Sequence, residues 1–253
     1  GRVGGGEGQD SVVLSTGPDG RARTTHTLGS VPGAHVVTVR AAFGTPVTFT
    51  ATAVPSHAKR LRFTQQPANL VAGGSFATAP VVEVRDSLGN VVPSVTSSIA
   101  LALATNAAGA TLGGTATVAA TAGSATFPAL TVGKVGTALR LVATSTGLVP
   151  DTSTAFNVTA GAAQRISFLV QPATSRSGRA IAPAVQVGVL DALGNVVTAS
   201  QLDVTLSVGT IPPGGSATVF GSPTVTTVQG VATFTDLGVQ SAASGYRLRA
   251  AAS

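Results

Sequence analysis

The sequence predicts an all-β chain of tandem β-sandwich repeats, with the repeats at the two ends incomplete. Three observations carry this. A unit of about 100 residues, a common domain size, occurs twice in the 253-residue chain. Within it, short runs alternate apolar and polar residues and are separated by turn residues, as half-buried strands require. No 10-residue stretch shows a helical period with caps.

The repeat is read directly from the residues. Asp86-Ser-Leu-Gly-Asn-Val-Val92 returns as Asp191-Ala-Leu-Gly-Asn-Val-Val197, a shift of 105. Phe63 and Gln66-Pro67 return as Phe168 and Gln171-Pro172 at the same shift. Gly123-Ser-Ala-Thr-Phe127 returns as Gly230-Val-Ala-Thr-Phe234 at 107, followed by Leu130, Arg140, Leu141 and Ala143 as Leu237, Arg247, Leu248 and Ala250. The first stretch fits the back half of a third copy. Leu28 stands for Leu130, Val37, Val39 and Ala41 for Leu139, Leu141 and Ala143, and Phe49 for Phe156. The divisions expected are 1–57, the end of a repeat behind a Gly-rich leader; 58–160, a complete repeat; and 161–253, a repeat without its last strand.

The complete repeat is predicted to hold strands near 61–65, 80–85, 91–95, 98–104, 115–119, 124–128, 138–144 and 153–159. Val82 and Val84 alternate with Glu83 and Arg85; the second copy keeps Val187 and Val189 but has Gly188 and Leu190 between and after them. Between the second and third runs, Asp86, Gly89 and Asn90, and again Asp191, Gly194 and Asn195, form a turn. Glycine takes positive φ there, and the Asp side chain bonds the backbone of the turn it opens. Ile99, Leu101 and Leu103 alternate with Ala, and Val204, Leu206 and Val208 with Thr and Ser. Leu139 and Leu141 flank Arg140, as Tyr246 and Leu248 flank Arg247. The apolar face persists between copies while the other drifts, as in a sheet with one face in a core. Val82, Val84, Leu101, Leu141 and Phe156 are expected buried, and so are Val187, Val189, Leu206 and Leu248. Seven or eight such strands in about 100 residues fit an immunoglobulin-like sandwich. Tyr246 is read as core filler, because the middle copy has Leu139 in its place.

These motifs, Phe-x-x-Gln-Pro, Val-x-Val-x-Asp-x-x-Gly-Asn-x-Val, Gly-x-Ala-Thr-Phe-x-x-Leu and Leu-x-Ala, together resemble the bacterial immunoglobulin-like (Big) repeats of the invasin and intimin type. The resemblance spans nearly the whole chain beyond its Gly-rich start. It implies tandem sandwiches forming an extracellular stalk, and it carries no catalytic residues. The chain departs from the family's pattern at Thr25-His26-Thr27-Leu28-Gly29, where a Trp often precedes Leu-Gly.

Composition removes other classes. There is no Cys, so no disulfide framework and no Cys-ligated metal. With 43% hydrophobic residues a disordered chain is not expected. No stretch of about 20 apolar residues exists to span a membrane. The absence of Met points to a processed chain or a fragment. The net charge of +6 rests on scattered Arg, with only Lys59 and Lys134 as lysines. With one Tyr and no Trp to stack bases, nucleic-acid binding is not expected.

His26, His35 and His57 all fall in the first stretch, without a Gly-x-Ser-x-Gly elbow. The acids are Glu7, Asp10, Asp19, Glu83, Asp86, Asp151, Asp191, Asp203 and Asp236, and only Glu83 and Asp86 lie near each other within a repeat. Asp86 with Asn90, and Asp191 with Asn195, admit a calcium reading, but turn closure explains both without metal. Asn157-Val-Thr159 is a formal glycosylation sequon. No catalytic, cofactor or metal residues and no cofactor are assigned. The expectation is a structural spacer or stalk module of a bacterial cell-surface or secreted adhesin-like protein. Its partners are the neighbouring repeats of its own chain. The alternative is a module that binds a surface glycan or host receptor. The end repeats are expected to expose apolar surface and strand edges, leaving 58–160 as the one stable alone.

Overall fold

A computed structural model describes residues 12–104, 109–216 and 218–253. The Gly-rich leader, with Glu7 and Asp10, lies outside them. Among the described residues the fold is all-β.

The first segment is a hairpin of β1 (Gly33–Val39) and β2 (Val47–Ala53). It pairs Val37 with Phe49, the two positions matched from sequence to Leu139 and Phe156. Its apolar side chains stay largely in solvent: Val36, Val39, Val47 and Phe49 are all exposed, and none joins a core.

The middle segment is an immunoglobulin-like β-sandwich. One sheet holds β3 (Arg60–Gln65), β5 (Val81–Arg85) and β9 (Ser124–Thr126). Facing it are β6 (Ser98–Leu103), β8 (Thr117–Ala119), β12 (Leu141–Thr144) and β13 (Asp151–Thr152). A third group joins β4 (Leu70–Val71), β11 (Gly136–Leu139) and β14 (Phe156–Thr159), and a short pair joins β7 (Leu112–Gly113) to β10 (Thr131–Val132). Leu61, Val82, Val84, Leu101, Leu141 and Phe156 meet in one core. The Phe156 ring stands edge-on to Phe76 at 5.3 Å, a favoured aromatic geometry.

The last segment repeats the plan. Here β15 (Arg165–Val170), β16 (Val185–Leu190) and β20 (Val231–Phe234) form one sheet. The opposing sheet has β17 (Asp203–Thr210), β19 (Thr224–Thr226) and β22 (Arg247–Ala252), and β18 (Val219–Phe220) pairs with β21 (Gly238–Val239). Its separate core contains Val185, Val187, Val204, Leu206, Phe234 and Leu237.

Several expectations are corrected. No strand forms over 91–95. Val91 makes a single bridge to Arg85, Val92 N–H donates to Val84 O, and the chain then turns so that Val95 N–H donates to Val92 O. Pro93 has no N–H to give a ladder. The run 138–144 is two strands in different sheets, because β11 pairs with β14 while β12 pairs with β6. Ala138 sits at φ 54°, and its N–H donates to Asn157 Oδ1 at the crossover. Of the run 153–159 only Phe156–Thr159 is strand. Buried Ser153 takes the Leu141 N–H on its hydroxyl, which donates in turn to Thr154 O. Leu248 is only half-buried. Tyr246 is more than filler: its hydroxyl accepts from Ser216 N and donates to Ser241 O five residues upstream, the kind of bond a tyrosine corner makes.

Candidate functional site

The chemistry-bearing side chains are dispersed. Among the described residues no three of His, Cys, Asp and Glu gather as a metal site. His26 and His57 are exposed, and His35 reaches only the Val31 carbonyl at 3.5 Å. Every described acid has a structural partner. Asp19 accepts from Arg21 N, Glu83 pairs with Arg85 at 2.8 Å, and Asp151 accepts from Phe63 N at 2.8 Å. Asp203 accepts from the Thr226 hydroxyl, and Asp236 from Ser222 N and Oγ. The Asp236 bonds hold its carboxyl below the usual aspartate value. Glu83 and Asp86, the one acid pair near in sequence, therefore serve separate partners.

The two Asp-x-Leu-Gly-Asn turns are the constellation the structure repeats most closely. Asp86 Oδ1 accepts from Leu88 N at 2.9 Å and Asn90 N at 2.8 Å. Asp191 Oδ1 accepts from Leu193 N and Asn195 N at the same two distances. Gly89 and Gly194 take φ of 92° and 84°, which a side chain would oppose. Each turn closes with Asp N–H on the Asn carbonyl at 2.9 Å.

The second carboxylate oxygen faces elsewhere. Asp86 Oδ2 accepts from Ser56 N at 3.0 Å and from the Asn90 amide at 3.1 Å. Asp191 Oδ2 accepts from Gly161 N at 3.0 Å and from the Asn195 amide at 3.0 Å. Ser56 and Gly161 belong to the stretches leading into the middle and last segments. Four N–H donors thus converge on each carboxylate, so a cation there would meet their positive ends.

Burial by itself pushes the Asp191 carboxyl up. The Asn195 amide and the N–H groups of Gly161, Asn195 and Leu193 outweigh it and lower the pKa to about 2. Asp86 is held low in the same contest, by the Asn90 amide and the N–H groups of Asn90, Ser56 and Leu88.

Each Asn reaches further, into the preceding segment. Asn90 Nδ2 donates to Ser30 O at 2.9 Å. Asn195 Nδ2 donates to Gly133 O at 3.1 Å, and its Oδ1 accepts from Val135 N at 3.2 Å. Sequence reasoning placed these Asn residues in turns and missed this reach, because their partners are backbone groups and leave no residue signature. It also missed Gly114 and Gly221, 107 residues apart, where a Cβ would strike the carbonyls of Ala129 and Asp236.

No family model and no curated protein matches the chain. Among solved structures it is similar to the Escherichia coli adhesin FdeC, at 20% identity and a TM-score of 0.43, covering 85% of this chain and 68% of that one. It is also similar to domains 1–6 of the surface layer protein SbsC, at 18% identity and a TM-score of 0.30, over 87% of this chain and 29% of that one. A glycoside hydrolase family 2 β-glucuronidase matches at 12% identity and a TM-score of 0.32, over 87% and 30%.

Proposed function

We propose that the chain is a spacer: consecutive immunoglobulin-like repeats divided at 1–57, 58–160 and 161–253, of the bacterial Big kind, in a cell-surface or secreted adhesin-like protein. The repeats hold whatever they carry at a distance and do no catalysis. The observation that carries this reading is two separately cored sandwiches in series. Only Ala160–Gln164 links the last strand of one to the first strand of the next. The chemistry points the same way, because the described carboxylates are spent on backbone and hydroxyl hydrogen bonds within the fold and, for Glu83, on an ion pair with Arg85. In this reading Asp86, Gly89, Asn90, Asp191, Gly194 and Asn195 are structural residues, and the partners that matter are neighbouring repeats. No described helix is long and apolar enough to cross a membrane.

Small-angle scattering tests the spacer. A compact globule of 253 residues has a radius of gyration of about 18 Å. A row of repeats gives a clearly larger value and an asymmetric distance distribution. A value near the globular one overturns the reading.

A further inference from the structure

We propose that the Asp-x-x-Gly-Asn turn is also a joint, which fixes the orientation of each segment against the one before it. The inference concerns the angle between segments and does not depend on where the protein resides. It follows from how the turn divides its bonds. One carboxylate oxygen closes the turn within its own segment. The other grips the incoming linker through Gly161 N and aligns the Asn195 amide. That amide then holds the loop after β10, at Gly133 O and Val135 N. Linker, turn and preceding segment are thus bonded to one side-chain pair, and a change of angle must break at least one of these bonds.

The arrangement occurs twice. The bonds within the turn and to the linker agree to within 0.1 Å between Asp86 and Asp191. Two turns sharing Asp-x-Leu-Gly-Asn that only closed a hairpin would have no reason to reach back to the preceding segment in both places. The two joints differ in strength. Asn195 is buried, and beside it Leu193 packs on Gly73, where an added Cβ would come within 2.9 Å of Leu193 Cδ1. At the first joint Asn90 is half-buried and makes one bond to Ser30, and Leu88 is 64% exposed. The second joint is therefore the stiffer.

Because the chain has no Cys, two introduced cysteines give a single spin-labelled pair. Thr146→Cys with Ser207→Cys spans the second joint, and Thr48→Cys with Thr146→Cys spans the first; all three sites are exposed. Pulsed dipolar spectroscopy should give a narrower distance distribution across the second joint than the first. Asn195→Ala should broaden the second, with the docked population falling about fivefold for each net hydrogen bond lost. Leu193→Ala should broaden it less. If Asn195→Ala unfolds the last segment, Leu193→Ala decides alone, since Leu193 is 55% exposed and only its backbone N–H, not its side chain, bonds in the turn. Unchanged widths in the folded variants overturn the proposal.

Discussion

In the middle segment Leu141 is fully covered, whereas its counterpart Leu248 in the last segment is half-exposed. The difference traces to one strand. β14 lies between β11 and β4 and drives Phe156 and Val158 into the core. In the middle segment Leu139 and Leu70 pair with Phe156 and Val158 of β14, Phe76 packs on Phe156, and Leu141 belongs to the same core. The counterparts of Leu70, Phe76, Leu139 and Leu141 are Ser175, Ile181, Tyr246 and Leu248, which line an open groove. Turns, first sheet and joint are shared between the segments, so closure of the second side is what separates a full core from a smaller one. It also explains Tyr246, whose longer side chain lets the hydroxyl tie two loops beside the groove.

The sharpest way to break this comparison is to empty β14. Phe156→Ala should cost the middle segment about 3–5 kcal/mol, as core Phe truncations do. Leu248→Ala should cost the last segment less, about 1–2 kcal/mol, because its side chain is already half in water. Chemical denaturation of each variant measures both. Equal losses would mean that β14 is not what distinguishes the segments.

The second effect probes what the segments share. Asp191→Asn replaces an acceptor of four N–H groups with a half-donor and should cost about 2–3 kcal/mol, the range for bonds to a charged group. Wild-type stability should show the same dependence on charge. The Asp191 pKa falls from 3.8 to about 2 on folding. The folded state therefore binds fewer protons, and this contribution is complete above about pH 4. It is lost as pH drops from 4 toward 2. Thermal melts across that window should show a fall that Asp191→Asn blunts. An equal slope in the variant would remove the carboxylate from the account.

The shared parts are also what the sequence discloses best. Alternation at Val82–Arg85 placed the core face correctly, since burial on one face constrains every second residue; in the copy Val187 and Val189 are buried as expected, but Gly188 and Leu190 are buried with them. The Asp and Gly of the turns were readable because their backbone demands are chemical. The crossover at Arg140 and the two-residue strands β4, β7 and β10 were not, because they are too short for any period to register. Pro93 was the overlooked signal against a strand at 91–95. The joint escaped for a different reason: Gly133 O, Val135 N and Gly161 N would be the same groups under other side chains.

A smaller effect tests whether the β-turns behave alike in both segments. Ala122 and Gln229 sit at φ 49° before Gly123 and Gly230, a two-residue hairpin turn with positive φ at both positions, which favours Asn-Gly. Ala122→Asn and Gln229→Asn should each stabilise by about 0.5–1 kcal/mol, by relieving a left-handed conformation that Ala and Gln disfavour. A gain in only one segment would show that their turns are not equivalent.

Asn195 belongs to the fold of the last segment and also grips the middle one. Hydrogen exchange at the Val135 amide tests this grip most directly, because this N–H sits in the middle segment and its acceptor is Asn195 Oδ1 at 3.2 Å. In Asn195→Ala, exchange at Val135 should accelerate by about tenfold or more, while the Leu141 amide, held inside the middle segment by Ser153, keeps its wild-type rate. An unchanged rate at Val135 in the folded variant would mean that Asn195 does not hold the middle segment.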